Sequence, residues 1–303
     1  MTGPPIRRVA VIGAGTMGRG IAQASAQAGY ATTLFDADPA VPARARSDIE
    51  GTLEEGIARG KVTAGEKVST LERLRLETEL APAVADADLV VEAIPERLDL
   101  KRDLFRRLET LAPGTAILGS NTSSLSIADI AEAVQRPGRV LGLHFFNPVH
   151  RMRLVEIVVA PGTESAAVER ARAFAESLGK RPIVVRDAPG FATSRLGLTL
   201  GLEAMRMMEE GVAAAEDIDL AMELGYNHPM GPLKLTDLVG LDVRLAIAEH
   251  LARTIDPTRF EPPAVLRRLV DEGKLGRKTG EGFYVWREGK AVPKEDPPKE
   301  AAR

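Results

Sequence analysis

Val9-Ala-Val-Ile-Gly13-Ala-Gly15-Thr16-Met17-Gly18 decides the fold. A short β-branched run passes straight into a Gly-x-Gly-x-x-Gly segment, and alanine-rich helical composition follows from Ile21 to Ala28, ending at Gly29. Strand before and helix after is the context that gives the glycines meaning. Gly13 allows the tight turn out of the strand, Gly15 lets backbone approach a pyrophosphate, and Gly18 permits close packing of helix on sheet. A second strand, Thr32–Phe35, ends at Asp36, 18 residues after Gly18. That carboxylate is placed to accept hydrogen bonds from ribose hydroxyls and to repel a 2′-phosphate. The following Ala37-Asp38-Pro39 supplies no arginine to receive such a phosphate, so NAD is expected rather than NADP.

Outward from this unit, Leu89–Ile94 and Ala116–Gly119 read as further strands, separated by a helix over Asp99–Leu111. The alternation predicts an α/β architecture, a Rossmann-type doubly wound and mostly parallel sheet with helices on both faces. Past Asp187-Ala-Pro-Gly190 the pattern becomes helical, with breaks at Gly211, Gly225 and Pro229-Met-Gly-Pro232. The expected organisation is a nucleotide-binding domain over 1–187, an all-α domain over 188–289 and a fraying polar tail over 290–303. The long helix from about Phe191 to Glu210 is apolar on more than one face, through Leu196, Leu198, Leu200, Leu202, Met205 and Met208. Such a helix needs cover on several sides, so a homodimer through the helical domain is expected.

Composition narrows the function. The chain has 303 residues, 44% hydrophobic and 27% charged, the balance of an ordinary globular protein large enough for two cores. A formal net charge of −3 gives no electrostatic reason to expect nucleic acid or an anionic membrane as partner. With no cysteine, disulfides, thiolate nucleophiles and cysteine metal sites are excluded. His150, His228 and His250 are scattered and suggest no metal. The apolar run Val9–Ile12 is too short for a signal peptide, no run reaches a membrane span, and a cytoplasmic location is expected.

The chemistry is carried by Leu141-Gly-Leu-His144-Phe-Phe-Asn-Pro-Val-His-Arg-Met-Arg-Leu-Val-Glu156-Ile157. Leu141–Phe146 and Leu154–Val159 read as strands with a break at Asn147-Pro148. Folded together, they bring an imidazole beside a carboxylate, a standard device for moving a proton near neutral pH.

Five segments occur in order: the glycine motif through Ile21-Ala22, Val90-Val-Glu-Ala-Ile-Pro-Glu96, Ser120-Asn-Thr-Ser-Ser124, His144-Phe-Phe-Asn-Pro148 and Gly276-Arg-Lys-Thr-Gly-Glu-Gly-Phe-Tyr284. Together they resemble the L-3-hydroxyacyl-CoA dehydrogenases over about residues 7–286. The resemblance implies NAD-dependent, reversible oxidation of a short-chain L-3-hydroxyacyl-CoA to the 3-oxoacyl-CoA. It implies His144 as general base, Glu156 as its orienting carboxylate and Ser123 as a hydrogen-bond partner of the substrate oxygen. Gly13, Gly15, Thr16, Met17, Gly18 and Asp36 fall at the coenzyme positions, and Glu96, Lys101, Asn147 and Lys278 at further NAD contacts. Thr52 and Arg59 fall where the family meets coenzyme A.

One position departs from the pattern. Pro189-Gly-Phe-Ala-Thr-Ser194-Arg195 carries serine where the family has an asparagine that reaches toward substrate. Two other functions compete: a sister dehydrogenase acting on gulonate or carnitine, and a non-catalytic NAD-binding protein. The His144-Phe-Phe-Asn147 segment argues against the first, and the complete His144, Glu156 and Ser123 set against the second.

Overall fold

The structure is a computed structural model that describes residues 4–294. The chain divides into two compact units, Met1–Phe191 and Ala192–Arg303. In the first, eight strands form one sheet: β1 (Arg8–Ile12), β2 (Ala31–Phe35), β3 (Leu74–Glu77), β4 (Leu89–Glu92), β5 (Ile117–Ser120), β6 (Val140–Phe145), β7 (Leu154–Val159) and β8 (Arg181–Arg186). Their order is β3-β2-β1-β4-β5-β6-β7-β8. The central strands β4, β5 and β6 are buried along their whole length, as expected where both faces are covered. Leu34, Leu89 and Val91 pack in the core on one face, and Val90, Phe105 and Leu118 in the core on the other.

Two features of the topology place the site. The chain builds β2 and β3 to one side of β1, then returns to lay β4 on its other side. The order reverses there, opening a crevice beyond the carboxyl ends of β1 and β4, where doubly wound sheets bind ligands. Further along, β7 runs antiparallel to β6, with His144 directly opposite Glu156. Directly opposed residues on an antiparallel pair project to the same face.

The second unit is built on helices Thr193–Glu209, Ala215–Gly225, Pro232–Val239, Leu241–Thr254 and Ala264–Asp271. Leu198, Leu202, Met205, Leu251, Leu266 and Tyr284 form its core. Two buried aspartates tie it together. Asp219 accepts from the backbone of Leu233 and Lys234 and from the Tyr284 hydroxyl, at 2.7, 2.9 and 2.7 Å. Asp237 accepts from the backbone of Phe283 and Tyr284 and from Trp286 Nε1, at 2.7, 2.9 and 2.9 Å.

Two boundaries differ from the sequence expectation. Phe191, 6% exposed, packs with the core of the first unit, so the unit break falls after it instead of after residue 187. The second unit also holds an antiparallel hairpin of β9 (Val285–Arg287) and β10 (Lys290–Val292), which an all-helical domain and a tail starting at 290 leave out. Glu288 and Gly289 both have positive φ, 51° and 77°, the geometry of a tight two-residue hairpin turn. Residues 295–303 of the expected tail lie outside the described residues.

Candidate active site

The glycine loop has the shape its sequence demands. Gly13 has φ +99°, donates to the Phe35 carbonyl at 2.8 Å, and would put a Cβ 2.6 Å from the Ala93 carbonyl oxygen. A Cβ on Gly18 would stand 1.7 Å from the Gly13 carbonyl oxygen, so helix α1 (Thr16–Gln27) could not seat there with any other residue. A Cβ on Gly15 would meet nothing within 4 Å. The space above it is open, which is what close approach by a phosphate requires. The first turn of α1, with Thr16 and Met17, carries neither a side-chain cap nor an acidic residue, leaving its amides to an anion. Asp36 accepts from Ala14 N–H at 2.9 Å and Asp38 N–H at 3.1 Å. Its carboxylate is fixed beside the loop with acceptor capacity to spare for ribose hydroxyls. These residues fit a dinucleotide.

Beyond the loop, a cleft of about 340 Å³ is lined by Met17, Glu96, Lys101, Ser123, His144 and Asn147 among others. His144 Nδ1 lies 2.7 Å from Glu156 Oε2, with His144 6% exposed and Glu156 fully buried. Rings of Phe146 and Phe191 flank the imidazole at 4.4 and 5.9 Å. Asn121 ties the end of β5 to this strand by accepting from Phe145 N–H at 2.9 Å.

Lys101 is not the surface residue its residue type suggests. It is 1% exposed, with Nζ 2.6 Å from Glu92 Oε1 and 3.2 Å from Glu96 Oε2. Glu92, at the end of β4, is fully buried and also accepts from Ser120 Oγ at 2.6 Å and Ile94 N–H at 2.8 Å. Burial pushes the Glu92 carboxyl up against the pull of Lys101. Burial acts upward on Glu96 too, but the Lys101 charge and the bonds from Thr122 and Ser123 prevail and hold it below the usual carboxylate range. Glu96 Oε1 takes Thr122 Oγ1 at 2.5 Å, Ser123 N–H at 3.0 Å, Ser124 N–H at 3.3 Å and a long contact from Ser123 Oγ at 3.5 Å.

Thr52 and Arg59 sit two helical turns apart on and just past α2 (Ala40–Ala58). Thr52 bonds the Asp48 carbonyl at 2.9 Å, and Arg59 pairs with Glu55 at 3.2 Å on the surface. A small recess of about 80 Å³ joins Thr52 to Thr16, Asn147 and His150. Burial, then the positive charges of Arg151, Lys180 and Arg59, hold the His150 imidazole below its ordinary value, with only Glu55 opposing. His150 thus marks a cation-rich rim that its scattered position in the sequence did not announce.

Ser194 and Lys278 belong to the second unit. Ser194 lies in the first turn of Thr193–Glu209, and Lys278 Nζ rests 2.6 Å from both carboxylate oxygens of Asp242. Burial acts upward on Asp242, and Lys278 overcomes it and lowers it. The first unit therefore gathers Gly13–Gly18 and Asp36 at one crevice, and Glu96, Lys101, Ser123, His144, Glu156 and Asn147 around one cleft.

A dinucleotide crevice with an imidazole–carboxylate pair in the same unit defines a nicotinamide-dependent dehydrogenase. Comparison with known proteins narrows the class. The NAD-binding domain of 3-hydroxyacyl-CoA dehydrogenase matches residues 8–188 and the C-terminal domain of that enzyme matches residues 190–286. The chain belongs to this family and is an NAD-dependent oxidoreductase. It is 43% identical over 290 residues to mitochondrial hydroxyacyl-coenzyme A dehydrogenase of Rattus norvegicus, covering 93% of this chain and 92% of that protein. It is 42% identical over 283 residues to 3-hydroxybutyryl-CoA dehydrogenase of Mycobacterium tuberculosis, covering 93% and 99%. The crystal structure of (S)-3-hydroxybutyryl-CoA dehydrogenase from Ralstonia eutropha superposes with a TM-score of 0.90 at 38% identity, over 93% of this chain and all of that one.

Proposed function

We propose that the protein oxidises the 3-hydroxyl of a short-chain L-3-hydroxyacyl-CoA, such as 3-hydroxybutyryl-CoA, to the 3-oxoacyl-CoA, reversibly. The observation that carries this is the His144–Glu156 contact of 2.7 Å beside a cleft that also contains Ser123 and Met17 of the glycine loop. NAD supplies the acceptor for the substrate's hydride. The ring nitrogen of His144 that faces away from Glu156 takes the hydroxyl proton, because an alkoxide left alone is too high in energy. Glu156 accepts the other N–H, fixes the tautomer and stabilises the imidazolium. Ser123 donates to the same substrate oxygen.

Glu96, Asn147 and Lys278 contact NAD in this proposal, and Lys101, 1% exposed and held by Glu92 and Glu96, serves the coenzyme through Glu96. Thr52 and Arg59 meet the coenzyme A portion, and the cationic neighbourhood of Arg59, Arg151 and Lys180 around His150 suits its phosphates. Ser194 faces the acyl group in place of the family asparagine. The enzyme works as a homodimer through its helical unit, which leaves Leu196, Leu224 and Tyr226 exposed at 66%, 77% and 75%. Cytoplasmic location belongs to the same proposal, and no described helix is long and apolar enough to cross a membrane.

NADH formation is to be followed spectrophotometrically with 3-hydroxybutyryl-CoA, longer hydroxyacyl-CoAs, gulonate and carnitine. Turnover with the acyl-CoA series is expected, fastest with the shortest. Turnover of gulonate or carnitine alone moves the enzyme to the sister class, and no turnover with any of them removes the proposal. Light scattering at micromolar concentration should give a dimer, and a fully active monomer would remove that part.

A further inference from the structure

Glu92 and Lys101 do more in this structure than their positions in sequence require. Their groups form a relay from the end of β4 to the turn that carries Ser123. Glu92 is fixed by three donors, Ile94 N–H, Ser120 Oγ and Lys101 Nζ. Lys101 turns its charge from that buried anion to Glu96. Glu96 in turn collects the backbone amides of Ser123 and Ser124 and the Thr122 hydroxyl on one oxygen. A buried ammonium needs compensating charge, and here the compensation is split between a sealed carboxylate and one lining the cleft. We propose that Glu92 and Lys101 are positioning residues, fixing Glu96 on the Thr122–Ser124 turn and through it the place of the Ser123 hydroxyl in the cleft that His144 also lines.

The alternative is a purely structural ion pair that holds helix Leu98–Leu111 to the sheet. It predicts loss of stability with no particular effect on the turn. The charged groups around Glu96 are Lys101, Glu92 behind it, His144 across the same cleft and the exposed Arg97–Asp99 pair beside it. Removing Lys101's charge raises the Glu96 carboxyl, because the largest opposing influence to burial is gone. Replacing Glu92 by glutamine leaves Lys101 wholly to Glu96 and lowers it further. The two variants therefore move the acid limb of the rate profile in opposite directions, which generic damage does not do.

The catalytic consequence rests on the dehydrogenase proposal, and the structural one does not, so two readouts separate them. The first is amide hydrogen exchange over residues 122–125 in wild type, Lys101→Met, Lys101→Arg and Glu96→Gln. Glu96 is 38% exposed, so that variant tests the same contacts if Lys101→Met fails to fold. Exchange about tenfold faster in Lys101→Met and Glu96→Gln, with Lys101→Arg close to wild type, is expected. The second readout is kcat and KM against pH for Lys101→Met and Glu92→Gln. In Lys101→Met, kcat should fall about ten- to a hundredfold, as displaced catalytic groups do, with KM for acyl-CoA nearly unchanged. Its acid limb should move up in pH, and that of Glu92→Gln should move down. Unchanged exchange at 122–125 in folded variants, or acid limbs moving up together, overturns the inference. A wild type without dehydrogenase activity overturns the functional proposal and leaves the exchange result to decide the relay.

Discussion

Each unit of the molecule buries carboxylates, and the two units compensate them differently. In the first, Glu156 faces His144 and Glu92 faces Lys101, so each buried anion meets a group that is or can become a cation. In the second, among the described residues Asp219 and Asp237 take their hydrogen bonds from backbone amides, the Tyr284 hydroxyl and Trp286 Nε1, with Lys234 and Lys294 acting on them as the smallest influences. Burial raises both aspartates above the usual carboxylate value. A perturbed carboxylate therefore does not by itself mark an active site. What separates the two sets is that the first belongs to a cleft, through Glu96 and His144, while the second closes on its own chain.

This contrast predicts that substitutions in the first set act on rate, and substitutions in the second on stability. The largest effect is expected for His144→Ala, a fall in kcat of roughly 10²–10⁴-fold, the usual worth of a positioned general base. Glu156→Gln keeps an acceptor for the imidazole and should lose less. A folded His144→Ala enzyme with near wild-type kcat breaks the comparison at its strongest point. Next comes Asp237→Ala, which strands three donors and should cost about 3 kcal/mol in urea unfolding, with kcat per folded molecule unchanged.

The same variant carries a pH signature. A carboxyl raised in the folded state contributes fully at pH below its ordinary unfolded value and loses that contribution as pH rises from there through its folded value. The stability lost in Asp237→Ala should thus shrink from the carboxylate range to neutral pH. Glu96 is depressed, so its contribution is present above the ordinary carboxylate value and vanishes as pH falls. Unfolding curves for Asp237→Ala and Glu96→Ala at acidic and neutral pH should diverge in opposite senses, and parallel trends would count against the distinction.

Smaller effects sharpen the picture. Asp36→Ala removes ribose hydrogen bonds and a charge that repels a 2′-phosphate, so NAD should bind about tenfold more weakly and NADP relatively better. A wild-type preference for NADP contradicts that role for Asp36 outright. Ser194→Asn tests the one departure from the family pattern. If a bridging water replaces the missing amide at about 0–2 kcal/mol, kcat/KM for a four-carbon substrate should change less than about tenfold. A change of several hundredfold would make the serine a working part of the site.

The geometry that sequence alone made legible is local. The run from Val9 through Gly18 is strand, turn and helix within a few residues, and only glycine fits at Gly13 and Gly18. His144 and Glu156 needed just two strand segments and one break between them. Glu92 and Lys101 were harder, because nothing near Lys101 in the chain indicates that helix Leu98–Leu111 turns it inward. Yet a signal was there: a carboxylate ending the apolar run Leu89-Val-Val must find a partner if the strand is buried on both faces. The edge strands β3 and β8, written Leu74-Arg-Leu-Glu77 and Arg181-Pro-Ile-Val-Val-Arg186, carry charges that blur the alternation. Sheet edges are where such charges are tolerated. The β9–β10 hairpin hid in the Glu288-Gly289 pair, a turn signal overshadowed by the polar composition that follows.

The antiparallel register of β6 against β7 has a consequence for anyone who would rebuild this protein. His144 and Glu156 meet because they are rungs of one ladder, and the connecting residues 146–153 do not hold them together. Changes in the length of that segment leave the pairing itself in place, although Phe146 and Asn147 within it line the cleft and must be kept for binding. Sliding either strand by a single residue cannot be forgiven, since it sets Val155 or Ile157 against the imidazole and turns the carboxylate to the other face. The acid–base pair is in that sense portable: two short opposed strands, grafted in phase onto another sheet, would take it along.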